Sequence, residues 1–139
     1  MKKKSTKHKI LVAEDDPNLL KVLSNALKEE GFKVFKAENG QEGLELALKH
    51  HPDLIVLDVL MPVMDGLTML KKLRKDEWGK NVYAIILTNV EPSSDLISEA
   101  SRYPYMSSYY MKSEYGINEV VDMVKERLHK KTIENIAEK

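Results

Sequence analysis

The sequence predicts an α/β fold in which helices cover both faces of a doubly wound, parallel β-sheet. Three observations support this prediction. Short apolar runs alternate with longer amphipathic segments, as in repeated βα units. The amphipathic segments carry recognisable start and stop residues. Most of the apolar runs end in polar residues, and ligands bind to sheets of this class at the carboxyl ends of the strands.

Five apolar runs have the length of β-strands. Because helical segments separate them, consecutive strands are expected to be parallel. The candidate strands are residues 9–13, 33–35, 54–57, 83–87 and 109–111.

The first two helices have clear boundaries in the sequence. Asp16 can cap the first helix, Pro17 can start it and Gly31 can end it. The second helix begins at about Gln41 and must stop near Pro52, because proline cannot continue a helix.

Three further helices are predicted after these. The third follows Asp65 and Gly66. The fourth is weakly marked: Ser93 or Ser94 can cap it, and it ends early, near Pro104. The fifth has apolar residues at helical spacing. These residues are Ile117, Val120, Val121, Val124 and Leu128.

The composition is that of one ordinary domain. A chain of 139 residues with 42% hydrophobic content can form one core of usual size, but not two. Lys plus Arg and Asp plus Glu both total 22, so there is no net charge to attract nucleic acid or an anionic membrane. The absence of cysteine excludes disulfides, thiolate metal sites and Cys nucleophiles.

The two ends of the chain differ from its middle. Residues 1–8 are basic and are expected to form a disordered tail, residues 9–130 to form the domain, and residues 131–139 to extend the last helix or form a linker. No segment resembles a signal peptide or reaches the roughly twenty apolar residues of a membrane helix. We therefore expect a soluble, cytoplasmic protein without direct contact to membrane or nucleic acid.

Acidic residues follow two of the candidate strands. Glu14 and Asp15 follow the first strand and Asp58 follows the third. If these strands are neighbours, about 4.8 Å apart, Asp15 and Asp58 repel each other by roughly 3 kcal/mol at an effective dielectric constant near 20. A cation relieves this repulsion, and oxygen ligands are those that Mg²⁺ prefers. The sequence therefore predicts a magnesium site.

Thr88 and Lys112 follow the fourth and fifth candidate strands. A metal beside an acid, with a hydroxyl and an ammonium nearby, suits phosphoryl transfer, which depends on positioning and charge neutralisation. Asp58 is then the nucleophile, and it forms an aspartyl phosphate.

Four motifs in this order and at this spacing resemble the CheY-like receiver domain of two-component response regulators, over residues 9–130. They are ILVAEDD, HPDLIVLDVLMPVMDG, AIILT and YYMKS. The resemblance implies a flavodoxin-like sandwich of five βα units, in which the strand order is 2-1-3-4-5. A stand-alone receiver domain is the simplest interpretation, and a fragment of a longer regulator is the alternative.

The resemblance also implies the ligands of the metal. Asp15 corresponds to a direct Mg²⁺ ligand, and Glu14 to an acid that acts through water. Asp58 corresponds to the phosphoacceptor and is itself a metal ligand. The backbone carbonyl of Leu60 corresponds to a further ligand.

The other implied roles concern a two-state switch. Thr88 corresponds to the hydroxyl that moves onto the phosphoryl group, and Lys112 to the lysine that pairs with that group. Tyr109 corresponds to the aromatic residue that turns inward when Thr88 moves.

The implied partners are proteins. A sensor histidine kinase or a phosphotransfer protein would donate the phosphoryl group. A downstream protein would bind to the fourth helix, fifth strand and fifth helix, and a homodimer is a further expectation. The chain is expected to act as a switch and not as an enzyme.

The sequence departs from the family pattern at several positions. Ser113 replaces a proline that is usually joined by a cis bond, so a trans bond is expected here. Asn89 is larger than the residue usually found at this position, so it is expected to narrow the access of the phosphoryl group to the site. Leu60 and Val90 offer no polar side chain to orient a hydrolytic water, which predicts a slowly decaying phosphoform. The segment 97–108 implies an altered signalling surface.

Two alternative functions remain open. The first is a degenerate receiver that binds proteins without phosphorylation, which Ser113 and the altered fourth helix keep open. The second is a phosphatase that passes through an aspartyl phosphate, but such enzymes usually need an acid where this chain has Leu60. Nucleotide binding is disfavoured, because no Gly-rich loop follows the first strand.

Overall fold

The computed structural model describes residues 7–90 and 107–137, with side chains described as far as residue 133. The strands are β1 (Lys9–Ala13), β2 (Lys33–Ala37), β3 (Leu54–Leu57), β4 (Tyr83–Thr88) and β5 (Ser107–Met111). The helices are α1 (Pro17–Glu29), α2 (Gly40–His50), α3 (Gly66–Leu73) and the C-terminal helix (Ile117–Ala137). Short 3-10 turns occupy Gly79–Asn81 and Lys112–Glu114.

The five strands form one parallel sheet in the order β2-β1-β3-β4-β5, which confirms the predicted topology. In this order β1 and β3 are neighbours, and β4 lies between β3 and β5. At the carboxyl ends of the strands, Ala13 of β1 pairs with Leu57 of β3, and Thr88 of β4 pairs with Met111 of β5. The residues that follow these strands therefore emerge along one edge of the sheet.

The helices begin where capping residues satisfy their first N–H groups. The Asp16 side chain accepts hydrogen bonds from the backbone of Asn18 at 3.0 Å and of Leu19 at 3.4 Å. Asp65 caps α3 by accepting from the backbone of Thr68 at 2.8 Å. Both caps lie close to the polar edge, so they fix how the chain leaves β1 and enters α3.

The side chains of the sheet alternate between two hydrophobic cores, one on each face. Leu11, Ile55 and Ile86 pack toward α2 and α3. Ile10, Val56 and Ile85 pack toward α1 and the C-terminal helix. Burial of each such side chain stabilises the fold by about 1.5–3 kcal/mol. The ends of the strands therefore belong to a sheet that is firmly packed on both faces.

Some predicted elements lie outside the described residues. These are most of the basic tail and the whole of the predicted fourth helix, including Ser93, Ser94 and Pro104. The predicted fifth helix is the C-terminal helix, which is helical as far as Ala137. Among the described residues, no helix combines the length and the apolar character needed to cross a membrane.

Candidate functional site

Three acidic residues meet at the polar edge of the sheet. Glu14 and Asp15 follow β1, and Asp58 follows β3, its hydrogen-bonded neighbour. One carboxylate oxygen from each of the three lies within 4.8 Å of the others. Glu14 is 4% and Asp58 is 7% exposed, whereas Asp15 is exposed to solvent. The cluster is thus a partly buried carboxylate group with one open side.

Backbone contacts hold Asp58 in place. Its N–H donates to the carbonyl of Ala13 at 3.1 Å, which extends the contact between β1 and β3. Its Oδ1 accepts a 2.6 Å hydrogen bond from the N–H of Val59. Gly66 packs so closely that a Cβ there would overlap the carbonyl oxygen of Asp58. The sequence placed Gly66 just before the third helix, but only the structure shows this close approach.

Lys112 supplies a positive charge to the cluster. Its Nζ lies 2.7 Å from Oδ2 of Asp58 and 2.9 Å from Oε1 of Glu14. Burial opposes the charged ammonium, but hydrogen bonds with Asp58 and Glu14 outweigh it and raise the pKa of Lys112 above its ordinary value. Lys112 therefore stays protonated and bridges the acids that follow β1 and β3.

Glu14 is the most strongly buried of the three acids. Burial raises its pKa above the ordinary value. A 3.0 Å hydrogen bond from the N–H of Asp16 and the contact with Lys112 offset this only in part. The pocket therefore disfavours further negative charge and would gain from a bound cation.

The donor set fits a magnesium ion. Every ligand atom of the cluster is a carboxylate oxygen, as a hard cation requires. Three ionised carboxylates and one ammonium leave two formal negative charges, which one divalent cation would balance. The side chain of Leu60 is 60% exposed on the loop that follows Asp58. Participation of the Leu60 carbonyl remains a prediction.

Thr88 lies between the groups that follow β3 and β5. It is the last residue of β4, pairs with Met111 and is 1% exposed. Its Oγ1 accepts a 3.4 Å hydrogen bond from the N–H of Val90. Because β4 separates β3 from β5, Thr88 lies on the edge of the sheet that carries Asp58 and Lys112.

Tyr109 and Tyr110 lie on opposite faces of β5. Tyr109 packs against the core under α3, and its hydroxyl donates to the carbonyl of Val90. Tyr110 faces the other core and meets the ring of Tyr115 edge-on, with centroids 5.3 Å apart. Tyr109, to which the resemblance assigns the switch role, therefore lies on a different face of the sheet from Tyr110.

Two departures from the family pattern are in direct contact. The N–H of Ser113 donates to Oδ1 of Asn89 at 2.9 Å. Every peptide bond among the described residues is trans, including the bond between Lys112 and Ser113, as expected. No sequence pattern linked Asn89 with Ser113. The available signal was that serine has an N–H at a position where proline would have none.

Comparison with known proteins gives one consistent result. The chain matches the response regulator receiver domain over residues 10–125. Sporulation initiation phosphotransferase F of Bacillus subtilis is 31% identical over 120 residues, which cover 86% of this chain and 93% of that protein. Response regulator ArlR of Staphylococcus aureus is 30% identical over 127 residues, which cover 91% of this chain but only 55% of that protein.

Solved structures show the same similarity. The receiver domain of the Francisella response regulator 1452 is 31% identical and superposes with a TM-score of 0.75. The superposition covers 91% of this chain and 99% of that chain. Sequence and fold thus point to the same group of proteins.

Proposed function

The chain belongs to the response regulator receiver domain family of two-component systems, and on this premise we propose that it is a switch controlled by phosphorylation of Asp58. The observation that carries the proposal is the meeting of Glu14, Asp15, Asp58 and Lys112 at one edge of the sheet. This arrangement places a nucleophile, a candidate metal site and a permanent cation together.

The proposed reaction is transfer of a phosphoryl group from a phosphohistidine to Asp58. A carboxylate oxygen of Asp58 attacks phosphorus, the P–N bond breaks as the new P–O bond forms, and the departing imidazole takes a proton from solvent. Mg²⁺ held by Asp15 and Asp58, with Glu14 acting through water, would neutralise charge on the phosphoryl oxygens. Lys112 then moves from the Asp58 carboxylate to a phosphoryl oxygen.

The switch follows from this change of charge. The Thr88 hydroxyl approaches the phosphoryl group, and the loop through Val90 moves with it. The Tyr109 hydroxyl donates a hydrogen bond to the Val90 carbonyl, so movement of this loop is transmitted to β5. A local electrostatic event thereby alters a surface that a partner protein reads.

The remaining features of the proposal concern partners and setting. The donor is a sensor histidine kinase or a phosphotransfer protein. The target binds to a surface formed by the predicted fourth helix, β5 and the C-terminal helix, and the chain also forms a homodimer. The switch comprises residues 9–130, acts in the cytoplasm and does not turn over a substrate of its own.

Phosphorylation by a small donor tests the proposal. We expect acetyl phosphate and Mg²⁺ to add one phosphoryl group to the full chain, as seen by intact mass. Asp58→Asn should remain unmodified, whereas Asp122→Asn, at an exposed position on the C-terminal helix, should behave as the original chain. Equal modification of Asp58→Asn would overturn the proposal. Binding of a partner without any phosphorylation would instead favour the degenerate receiver.

A further inference from the structure

A hydrogen bond joins two loops beyond the point where the sheet ends. The last residue pair between β4 and β5 is Thr88 with Met111. One residue beyond Thr88 and two residues beyond Met111, the N–H of Ser113 donates to Oδ1 of Asn89 at 2.9 Å. The side chain of Asn89 therefore continues a connection that the backbone ladder no longer makes.

The joined residues adjoin two candidate catalytic groups. Asn89 follows Thr88, and Ser113 lies in the 3-10 turn that begins at Lys112. Lys112 holds its ammonium on Asp58 and Glu14. The bond thus links the loop that carries the hydroxyl to the turn that carries the cation.

A second set of contacts restrains the same loop. The hydroxyl of Tyr109 donates to the carbonyl of Val90, and the N–H of Val90 donates to Oγ1 of Thr88 at 3.4 Å. Residues 89 and 90 are therefore each tied to the β5 side of the site. Because both Asn89 and Ser113 are exposed, neither position is fixed by burial, and the hydrogen bond is the contact that relates them.

We propose that Asn89 is a positioning residue for phosphoryl transfer to Asp58, an inference that rests on the function proposed above. Its side chain holds the Thr88 loop against the Lys112 turn, so that hydroxyl and ammonium reach the same phosphoryl group. Phosphoryl transfer is sensitive to such placement, because a displacement of about 1 Å can lower a rate by roughly a hundredfold. Ser113 contributes to this positioning through its backbone, since it has the N–H that proline lacks.

Three variants separate the bond from its surroundings. Asn89→Ala removes the acceptor and Ser113→Pro removes the donor, whereas Ser113→Ala keeps the N–H. We expect the first two to lower the rate of phosphorylation by acetyl phosphate roughly three- to tenfold, the range that one hydrogen bond supplies. Ser113→Ala should match the original chain. Asn89→Ala combined with Ser113→Pro should be no slower than the slower single variant.

Two further readouts distinguish positioning from general damage. The Mg²⁺ affinity, measured by calorimetry, should stay within about twofold in all variants, because Asp15 and Asp58 lie on other loops. The amide resonance of Ser113 should shift in Asn89→Ala but keep the signature of a hydrogen-bonded amide in the original chain. A fall in Mg²⁺ affinity that parallels the rate would contradict a positioning role.

The outcomes also separate this inference from the proposed function. If the original chain is phosphorylated and Asn89→Ala reacts equally fast, the positioning role fails alone. If Asn89→Ala reacts faster, Asn89 obstructs the site, and the inference is again overturned. If the original chain is not phosphorylated at all, the proposed function itself fails.

Discussion

The ammonium of Lys112 lies 2.7 Å from Oδ2 of Asp58, although 54 positions separate the two residues in the chain. The same ammonium lies 2.9 Å from Oε1 of Glu14. Both carboxylates are nearly buried, so their charge would be unfavourable without a cation. Lys112 therefore acts as the counter-ion of both carboxylates, and a bound metal would contact the same carboxylates as Lys112.

Replacement of this counter-ion should weaken the fold and strengthen metal binding. In chelator, we expect Lys112→Ala to lower the free energy of unfolding by about 1–3 kcal/mol, because Asp58 and Glu14 lose their partner. Mg²⁺ should bind severalfold more tightly, since no ammonium competes for the oxygens. Urea unfolding and calorimetry measure the two effects.

Lys125→Ala is the matched control for this change. Lys125 pairs with Glu30 at 2.9 Å on the exposed surface, where screening by solvent leaves such a pair little effect on stability. It should leave Mg²⁺ binding unchanged. Equal Mg²⁺ affinity in Lys112→Ala and the original chain would show that Lys112 does not restrain the carboxylates.

Mg²⁺ should stabilise the fold, and chelation should reverse this. At a hundred times the dissociation constant, an ion that binds only the folded chain adds about 2.7 kcal/mol. We expect Asp15→Asn to lose most of the thermal shift that Mg²⁺ produces. Asp16→Asn should keep it, because asparagine also caps α1 and Asp16 is absent from the carboxylate cluster of the described residues. Loss of the shift in both variants would argue for a diffuse electrostatic effect.

Sequence patterns anticipated much of this site because strand periodicity and strand order decide which residues share an edge. Asp15, Asp58 and Lys112 each follow an apolar run, so a parallel sheet was enough to bring them together. The bond between Asn89 and Ser113 could not be anticipated in the same way. It depends on one side-chain rotamer and on the paths of two loops, which hydrophobic periodicity does not encode.

The end of α2 shows a second limit of the sequence patterns. Pro52 predicted a stop nearby, and the helix does end at His50, but the turn at His51 with φ of 49° was not predicted. Because the residue before a proline avoids the right-handed helical region, the helix ends before Pro52 itself. Stacking of His51 on Trp78, with ring centroids 4.3 Å apart, stabilises this turn. The sequence pattern predicts that the helix stops, whereas the tertiary contact of His51 with Trp78 determines which residue forms the left-handed turn.

Gly66 is predicted to be indispensable for the placement of Asp58. A Cβ at residue 66 would overlap both the Asp58 carbonyl and the side chain of Leu57. Gly66→Ala should therefore destabilise the fold by about 1–3 kcal/mol and lower phosphorylation even where the chain remains folded. Gly116→Ala is the control, because the nearest atom that an added Cβ would meet there, Oε1 of Glu119, lies at 3.8 Å. Similar losses in the two variants would refute the argument from close approach.

His50 should titrate below the ordinary range for histidine. Partial desolvation lowers its pKa first, and Lys49, Lys33 and Lys9 lower it further through charge repulsion. The unfolded chain then binds this proton at a higher pH than the folded chain. The free energy of unfolding should therefore fall as the pH drops below about 6.5.

Proton NMR of the histidine rings measures this pKa directly. Lys49→Gln should move the pKa of His50 upward, toward its ordinary value, because one nearby cation is removed. Lys125→Gln, on the C-terminal helix at the opposite face of the sheet, should not move it. A pKa of His50 that is unaffected by Lys49→Gln would show that charge repulsion is not a cause.

The phosphoform should decay slowly because the side chain of Leu60 cannot orient an attacking water. Leu60 is apolar, lies two residues after Asp58 and is 60% exposed. An asparagine there can hold a water by hydrogen bonds, so Leu60→Asn should shorten the half-life of the phosphoform severalfold, up to about tenfold. Val63→Asn, at an 82% exposed position of the same loop, should leave it unchanged. Decay is followed by phosphoprotein gel. A longer half-life for Leu60→Asn than for the original chain would contradict the prediction, since the orientation of water would then not limit hydrolysis.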